Sequence, residues 1–215
     1  IKNKINILVL TSPNNPTGKI IDNLTLNKLI SICSKLKCYL VIDESFSSYV
    51  FVKYKQLVSK NFNNKYTILV NSFSKNFHLQ GLRLGAILCS KKLFDIFSNV
   101  HIAINGAANF VSQQIIINNK KSILKENNIF KKLQMVTNFL DSKQVRYYKP
   151  DGSFYLFPEI KNKKMFLKGT MKNDLFYLEG NAFGNIYKNH YRFCFEKKIN
   201  ELKLILNKME KNDIY

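Results

Sequence analysis

Short apolar runs separated by polar turns recur along the first half of the chain. They lie at residues 5–10, 39–42, 67–71 and 84–89, and most carry β-branched side chains. Near-continuous runs of this length predict strands buried within a largely parallel sheet. Helical spacing intervenes. Asp22 is placed to cap a helix running to about residue 36, with Leu26, Leu29, Ile30, Cys33 and Leu36 on one apolar face. Residues 45–60 read as a strand edge or lid followed by a short helix, and residues 61–65 as a loop. Residues 91–99 start a surface helix. Residues 101–117 are apolar with small side chains, suited to packing on the sheet or on a partner. A long helix is expected over residues 121–140, kinked or broken near Asn127 and Asn128. Its apolar face is drawn from Leu124, Phe130, Leu133, Val136, Phe139 and Leu140.

The last third changes character. A strand is expected over residues 153–157, stopped by Pro158, then a helix and loop over residues 165–178 and a turn at residues 180–184. A second strand follows over residues 191–195, then an amphipathic helix opened by Asn200 and carried by Leu202, Leu204, Ile205, Leu206 and Met209. The expected fold class is therefore α/β. A mostly parallel sheet flanked by helices occupies residues 1–130, and a small α+β carboxyl-terminal domain occupies residues 131–215.

Composition changes this picture little. With 46% hydrophobic residues a sizeable core can form, and the formal net charge is +20, from 34 Lys+Arg against 14 Asp+Glu. Such a charge raises the question of nucleic acid. The cations are scattered lysines rather than a stripe of arginine forks, so no nucleic-acid partner is expected. Cys33, Cys38, Cys89 and Cys194 form no CxxC pair, and no His/Cys cluster has zinc-ligand spacing, so no metal is expected. Cys89 and Cys194 sit in apolar runs and read as small core residues. A reducing, cytoplasmic setting is expected. No run approaches about 20 apolar residues, so no membrane span is expected.

The chemistry gathers where predicted strands end. The first strand runs into Thr11-Ser12-Pro13-Asn14-Asn15-Pro16-Thr17-Gly18, a rigid polar turn. In open α/β sheets, ligands bind at the carboxyl ends of the strands. Asp43-Glu44 ends the second strand, and buried acids need partners there. An acid at that position suits a protonated pyridine nitrogen. Ser72-Phe73-Ser74-Lys75 follows the third strand, with Arg83 in Gly81-Leu82-Arg83-Leu84-Gly85. A lysine at the end of a buried strand can lose its proton through desolvation and hold an aldehyde cofactor as a Schiff base. Ser72, Ser74 and Arg83 suit that cofactor's phosphate, Ser72 being the better hydroxyl donor. Asn15 suits the cofactor's ring oxygen, and Arg192 the carboxylate of a substrate. His78 lies close enough in sequence to Lys75 to line the site, or it serves as a plain loop or core residue.

These motifs together resemble class I/II aminotransferases, pyridoxal-phosphate enzymes of the aspartate aminotransferase fold, fold type I. The stretches Gly152-Ser153-Phe154-Tyr155-Leu156-Phe157-Pro158, Gly180-Asn181-Ala182-Phe183-Gly184 and Tyr191-Arg192-Phe193 are similar to that family's carboxyl-terminal part. The resemblance keeps its order along nearly the whole chain. It implies that Lys75 is the Schiff-base lysine. It also implies that Asn15 and Asp43 hold the ring oxygen and ring nitrogen, that Ser72, Ser74 and Arg83 hold the phosphate, and that Arg192 takes the substrate carboxylate. It further implies a homodimer at full length, and ping-pong transfer of an amino group from an L-amino acid to 2-oxoglutarate or another 2-oxo acid.

Two departures from the family pattern shape the alternatives. Family members commonly carry tyrosine where Phe46 stands, three residues after Asp43. Its hydroxyl would reach the ring oxygen, so the alternative reaction is that of a decarboxylase or lyase of the same fold, similar to threonine-phosphate decarboxylases. The family also carries a substantial amino-terminal part ahead of the Asn-Pro-Thr-Gly turn. The expectation is that this chain corresponds to the back half to two-thirds of such an enzyme, and a catalytically inactive fragment is the remaining alternative.

Overall fold

A computed structural model describes residues 5–53, 64–77, 79–118 and 128–215. The chain divides into two units. The first comprises Ile1–Asn14 and Ile20–Glu126, the second Asn15–Lys19 and Asn127–Tyr215.

In the first unit, strands β1 (Ile7–Thr11), β2 (Tyr39–Asp43), β3 (Thr67–Ser72) and β4 (Gly85–Leu88) form one sheet in that spatial order. The pairs β1–β2 and β2–β3 are parallel, and β3–β4 is antiparallel. Helix α1 (Asn23–Leu36) makes the crossover between β1 and β2. Asp22 caps it as expected, its side chain accepting from the Thr25 backbone N–H at 2.9 Å. At the other end Lys37 turns left-handed, and the Cys38 N–H bonds the Cys33 carbonyl at 2.9 Å. Leu26 and Cys33 of α1 pack with Cys38, Leu40, Ile42 and Leu69 into the core of this unit.

In-register partners across the sheet share a face. Leu10, Ile42, Leu69 and Leu88 align on the face covered by α1. Val9, Val41 and Ile68 align on the other face, as do Thr11, Asp43, Val70 and Ile87. The expectation of a buried first strand is corrected here. Leu8 and Leu10 join the core, but Ile7 and Val9 on the other face are 58% and 63% exposed, and Ile87 is 55% exposed. A run apolar on both faces reads as buried whether or not each face is covered. Leu36, expected on the apolar face of α1, is exposed at the last turn.

The turn after β3 contains the short helix α2 (Phe73–Asn76), and a 3-10 turn (Gln80–Leu82) leads into β4. Helix α3 (Lys91–Asn105) is longer than the sequence pattern suggests and absorbs the start of the 101–117 run, while α4 (Phe110–Asn118) takes the rest.

The second unit holds α5 (Ile129–Ser142), β5 (Tyr155–Leu156), α6 (Lys163–Lys172), β6 (Leu178–Glu179), β7 (Tyr191–Cys194) and α7 (Ile199–Lys211). Its sheet is antiparallel, in the order β5-β7-β6. The expected 121–140 helix is described only from Ile129, and the break near Asn127 together with Leu124 falls outside the described residues. Phe130, assigned to its apolar face, is exposed, whereas Val136 and Leu140 are buried. On α7, Leu202, Leu206 and Met209 are buried at helical spacing. Leu204 lies two residues round the helix and is exposed. The expected strand over residues 153–157 shrinks to its centre, since Ser153 has φ +76°. Lys132 of α5 is buried against Glu196, 2.9 Å away, in the segment that follows β7.

Cys33 and Cys38 are the buried cysteines, and Cys89 and Cys194 are only half-buried, so the core assignment of the latter pair is corrected. Burial pushes the Cys33 and Cys194 thiols up. Among the described residues no helix is long and apolar enough to cross a membrane.

Candidate active site

In the first unit the predicted residues collect at the carboxyl edge of the parallel strands. Asp43 ends β2 and Ser72 ends β3. Strand alternation and register place both on the sheet face opposite α1. Asp43 is half-buried. Its Oδ1 accepts from the Ser45 backbone N–H at 2.8 Å, a local turn that fixes the carboxylate just beyond the strand. Its backbone carbonyl accepts from the Ser12 N–H at 3.0 Å, so the ends of β1 and β2 are held together.

Lys75 departs slightly from expectation. It sits within α2, one turn past the end of β3, and is half-buried. Ser72 occupies the helix N-cap position without making a side-chain cap bond, whereas Ser74 is buried. The antiparallel return brings Arg83 back to the same edge. Gly85 pairs with Ser72, and the Phe73 N–H donates to the Leu84 carbonyl at 3.1 Å. Gly85 is needed for this approach, because a Cβ there would come within 2.8 Å of the Asn71 carbonyl oxygen. Arg83 itself is left-handed, with φ +50°, and exposed; its Nη1 donates to the Gln80 carbonyl at 3.1 Å. His78 lies outside the described residues.

In the second unit Asn15 and Arg192 meet. Arg192 Nη1 donates to Asn15 Oδ1 at 2.9 Å. A guanidinium has only donors, so the asparagine must turn its oxygen towards it and keep its Nδ2 hydrogens for another acceptor. The Arg192 guanidinium lies 4.1 Å from the Tyr155 ring centroid and 5.6 Å from that of Phe183. Rings hold a cation in place without neutralising it. Arg192 therefore keeps its charge for an incoming anion, which a carboxylate partner would have spent. The Asn15 turn is anchored by Gly18, whose carbonyl accepts from both Asp151 N–H and Gly152 N–H at 2.9 Å. Lys19 also pairs with Asp151 at 3.2 Å.

Three neighbours escaped the sequence reading. Tyr155 and Phe183 belong to motifs that it did notice, but only the fold places their rings beside Arg192. Asn76, next to Lys75, is buried and engaged in several hydrogen bonds. Its one sequence signal is a polar residue directly following the lysine, which an asparagine-rich chain conceals.

The chemistry of the donor set fits pyridoxal phosphate. One edge of one sheet carries an acid for a pyridine nitrogen, an amine for an aldehyde, and a hydroxyl with an arginine for a phosphate.

Comparison with known proteins places the chain in a family. A family model described as aminotransferase class I and II matches residues 1–208. An aspartate aminotransferase of Pyrococcus horikoshii is 26% identical over 98% of this chain, and the match covers 57% of that protein. An aspartate aminotransferase of Sulfurisphaera tokodaii is 32% identical over 74% of this chain and 42% of its own length. The crystal structure of the Thermotoga maritima aspartate aminotransferase superposes with a TM-score of 0.83 at 23% identity, over 95% of this chain and 56% of that one. A structure described as a PLP-bound putative aminotransferase from Clostridium difficile gives a TM-score of 0.84 at 22% identity, over 97% and 58%. The chain thus spans about half the length of such relatives, and the solved structures establish its fold as type I. It belongs to the class I and II aminotransferases.

Proposed function

We propose that this chain carries the cofactor-binding and carboxylate-binding residues of a pyridoxal-phosphate-dependent aminotransferase. The observation that carries this reading is the convergence of Asp43, Ser72, Lys75 and Arg83 on one edge of one sheet, produced by the parallel β2–β3 pair and the antiparallel return into β4. Bound pyridoxal phosphate supplies an electron sink that stabilises negative charge at the Cα of an amino acid.

The chain's own residues do the rest. Asp43, fixed beyond β2 by the Ser45 N–H, keeps the ring nitrogen protonated. Ser72, Ser74 and Arg83 hold the phosphate, with Ser72 the more accessible hydroxyl. Lys75 Nζ would hold the aldehyde and, when freed by an amino substrate, would carry the proton from the substrate Cα to the cofactor carbon that bore the aldehyde. Asn15, with its oxygen committed to Arg192, offers Nδ2 to the ring oxygen. Arg192 takes the α-carboxylate through the donors left on its fork.

The substrates on this reading are an L-amino acid and a 2-oxo acid. The names of the relatives point to aspartate as the amino donor. The full-length protein is proposed to work as a homodimer in the cytoplasm, a setting in keeping with four cysteines that are all free.

The test is reductive trapping. The chain is mixed with pyridoxal phosphate, reduced with borohydride and digested, and the pyridoxyl-lysine is located by peptide mass. A single label at Lys75, absent in Lys75→Ala, supports the reading. Label scattered over many lysines, or none, overturns it.

A further inference from the structure

Asn76 is placed to set the position of Lys75. Its side chain is buried and uses both ends of the amide. The two Nδ2 hydrogens are shared among three acceptors: the Glu44 carbonyl at 3.2 Å, Ser47 Oγ at 3.3 Å and Asn71 Oδ1 at 2.7 Å. Oδ1 accepts from the Ser48 backbone N–H at 3.0 Å and lies 3.0 Å from Ser48 Oγ. The Ser48 hydroxyl is also 3.0 Å from the Asn76 backbone carbonyl, so its single proton is shared between the two acceptors.

Two segments are joined by these bonds. One is the loop that begins at Glu44, directly after Asp43. The other is α2, which carries Lys75 and is a single turn with no side-chain cap at its start. One isolated turn has little stability of its own, because fixing its backbone is repaid by very few internal bonds. Its position must come from outside contacts. Phe73 supplies one through its N–H bond to the Leu84 carbonyl. Asn76 supplies several more from the residue adjacent to Lys75, and these reach the segment adjacent to Asp43.

We propose that Asn76 is a positioning residue, holding the Lys75 amine at a set distance from the Asp43 carboxylate through the 44–48 loop. Its importance for catalysis rests on the function proposed above, but the geometric claim does not. Substituting Asn76 should release the turn and let Lys75 sample solvent without unfolding the sheet.

The experiment labels the cofactor-free 215-residue chain with brief pulses of acetic anhydride across a pH series. Acetylation of Lys75 is read by peptide mass against Lys91 as internal reference, with circular dichroism checking that each variant is folded. In Asn76→Ala the Lys75/Lys91 ratio is expected to rise by about threefold or more, as a locally opened turn would give. Ser48→Ala removes only the hydroxyl's share of the network and is the milder variant, with a rise in the same direction but smaller. A purely structural role would lower the melting temperature and leave the ratio and its pH profile at the wild-type values, and that result in both variants overturns the proposal. No cofactor enters this measurement. Failure of Lys75 to trap pyridoxal phosphate would therefore count against the proposed function alone.

Discussion

Asn15 Oδ1 accepts a 2.9 Å hydrogen bond from Arg192 Nη1 across 177 positions of sequence. One residue of the pair was expected to serve the cofactor and the other the substrate, and the bond makes them a single unit. Asn15→Ala is expected to lower kcat/KM for the amino donor by about 10- to 100-fold, the range for losing one or two charge-assisted bonds at a site. Asn15→Asp should act differently. Its carboxylate would neutralise Arg192 and compete with the substrate, raising KM more than the alanine does. Steady-state kinetics with a varied amino acid and a fixed 2-oxo acid separates the two effects.

Gly18 has φ +70°, and a Cβ there would lie 2.5 Å from the Gly152 carbonyl oxygen and 2.6 Å from Pro150 Cβ. Gly18→Ala is expected to cost about 1–3 kcal/mol from backbone strain alone. Thermal denaturation should register the loss. Because this turn carries Asn15, cofactor titration should also show weaker binding in the fraction that remains folded.

Lys132 and Glu196 form an ion pair whose side chains are only 9% and 19% exposed. Lys132→Met keeps the stem and leaves the carboxylate without its cation, at an expected cost of about 3 kcal/mol. Replacing both, as Lys132→Met with Glu196→Leu, should recover most of that. Urea denaturation of the two variants tests the asymmetry.

His190 stacks on Phe157 at a centroid distance of 5.0 Å and lies near Tyr148 and Tyr187. Burial holds its pKa below the usual histidine value and the Arg146 cation lowers it further, while Glu159 opposes both. The folded form therefore binds its proton at lower pH than the unfolded form. Stability from this residue is unaffected above the unfolded value of about 6.5, falls as the pH drops below it, and levels off below the folded value. Melting temperatures at pH 7 and pH 5 should differ less in His190→Phe than in wild type.

Much of this arrangement can be read in the sequence. The helix from Asp22 and the runs ending at Asp43 and Ser72 are legible because apolar spacing and a capping acid are local signals. The antiparallel direction of β4 is not, since Leu84 to Cys89 looks the same whichever way it pairs. Solvent exposure at Ile7, Leu36, Phe130 and Leu204 is also hidden, because hydrophobicity reports what a side chain prefers and not what lies against it. Lys75, Asp43 and Arg83 stand out through motif spacing. Asn76 does not, because its partners in the 44–48 loop lie 28 to 32 positions away.

The return from β3 into β4 constrains how this chain can vary in length. Parallel neighbours such as β1 and β2 are joined by a crossover that can lengthen or shorten while the strands keep their places. Ser72 and Gly85 are paired across an antiparallel ladder, so the chain between them is a closed loop with both ends clamped. Lys75 and Arg83 both lie on that loop. An insertion or deletion there falls between the ladder and the residues that bear the amine and the guanidinium, so it acts on the site directly.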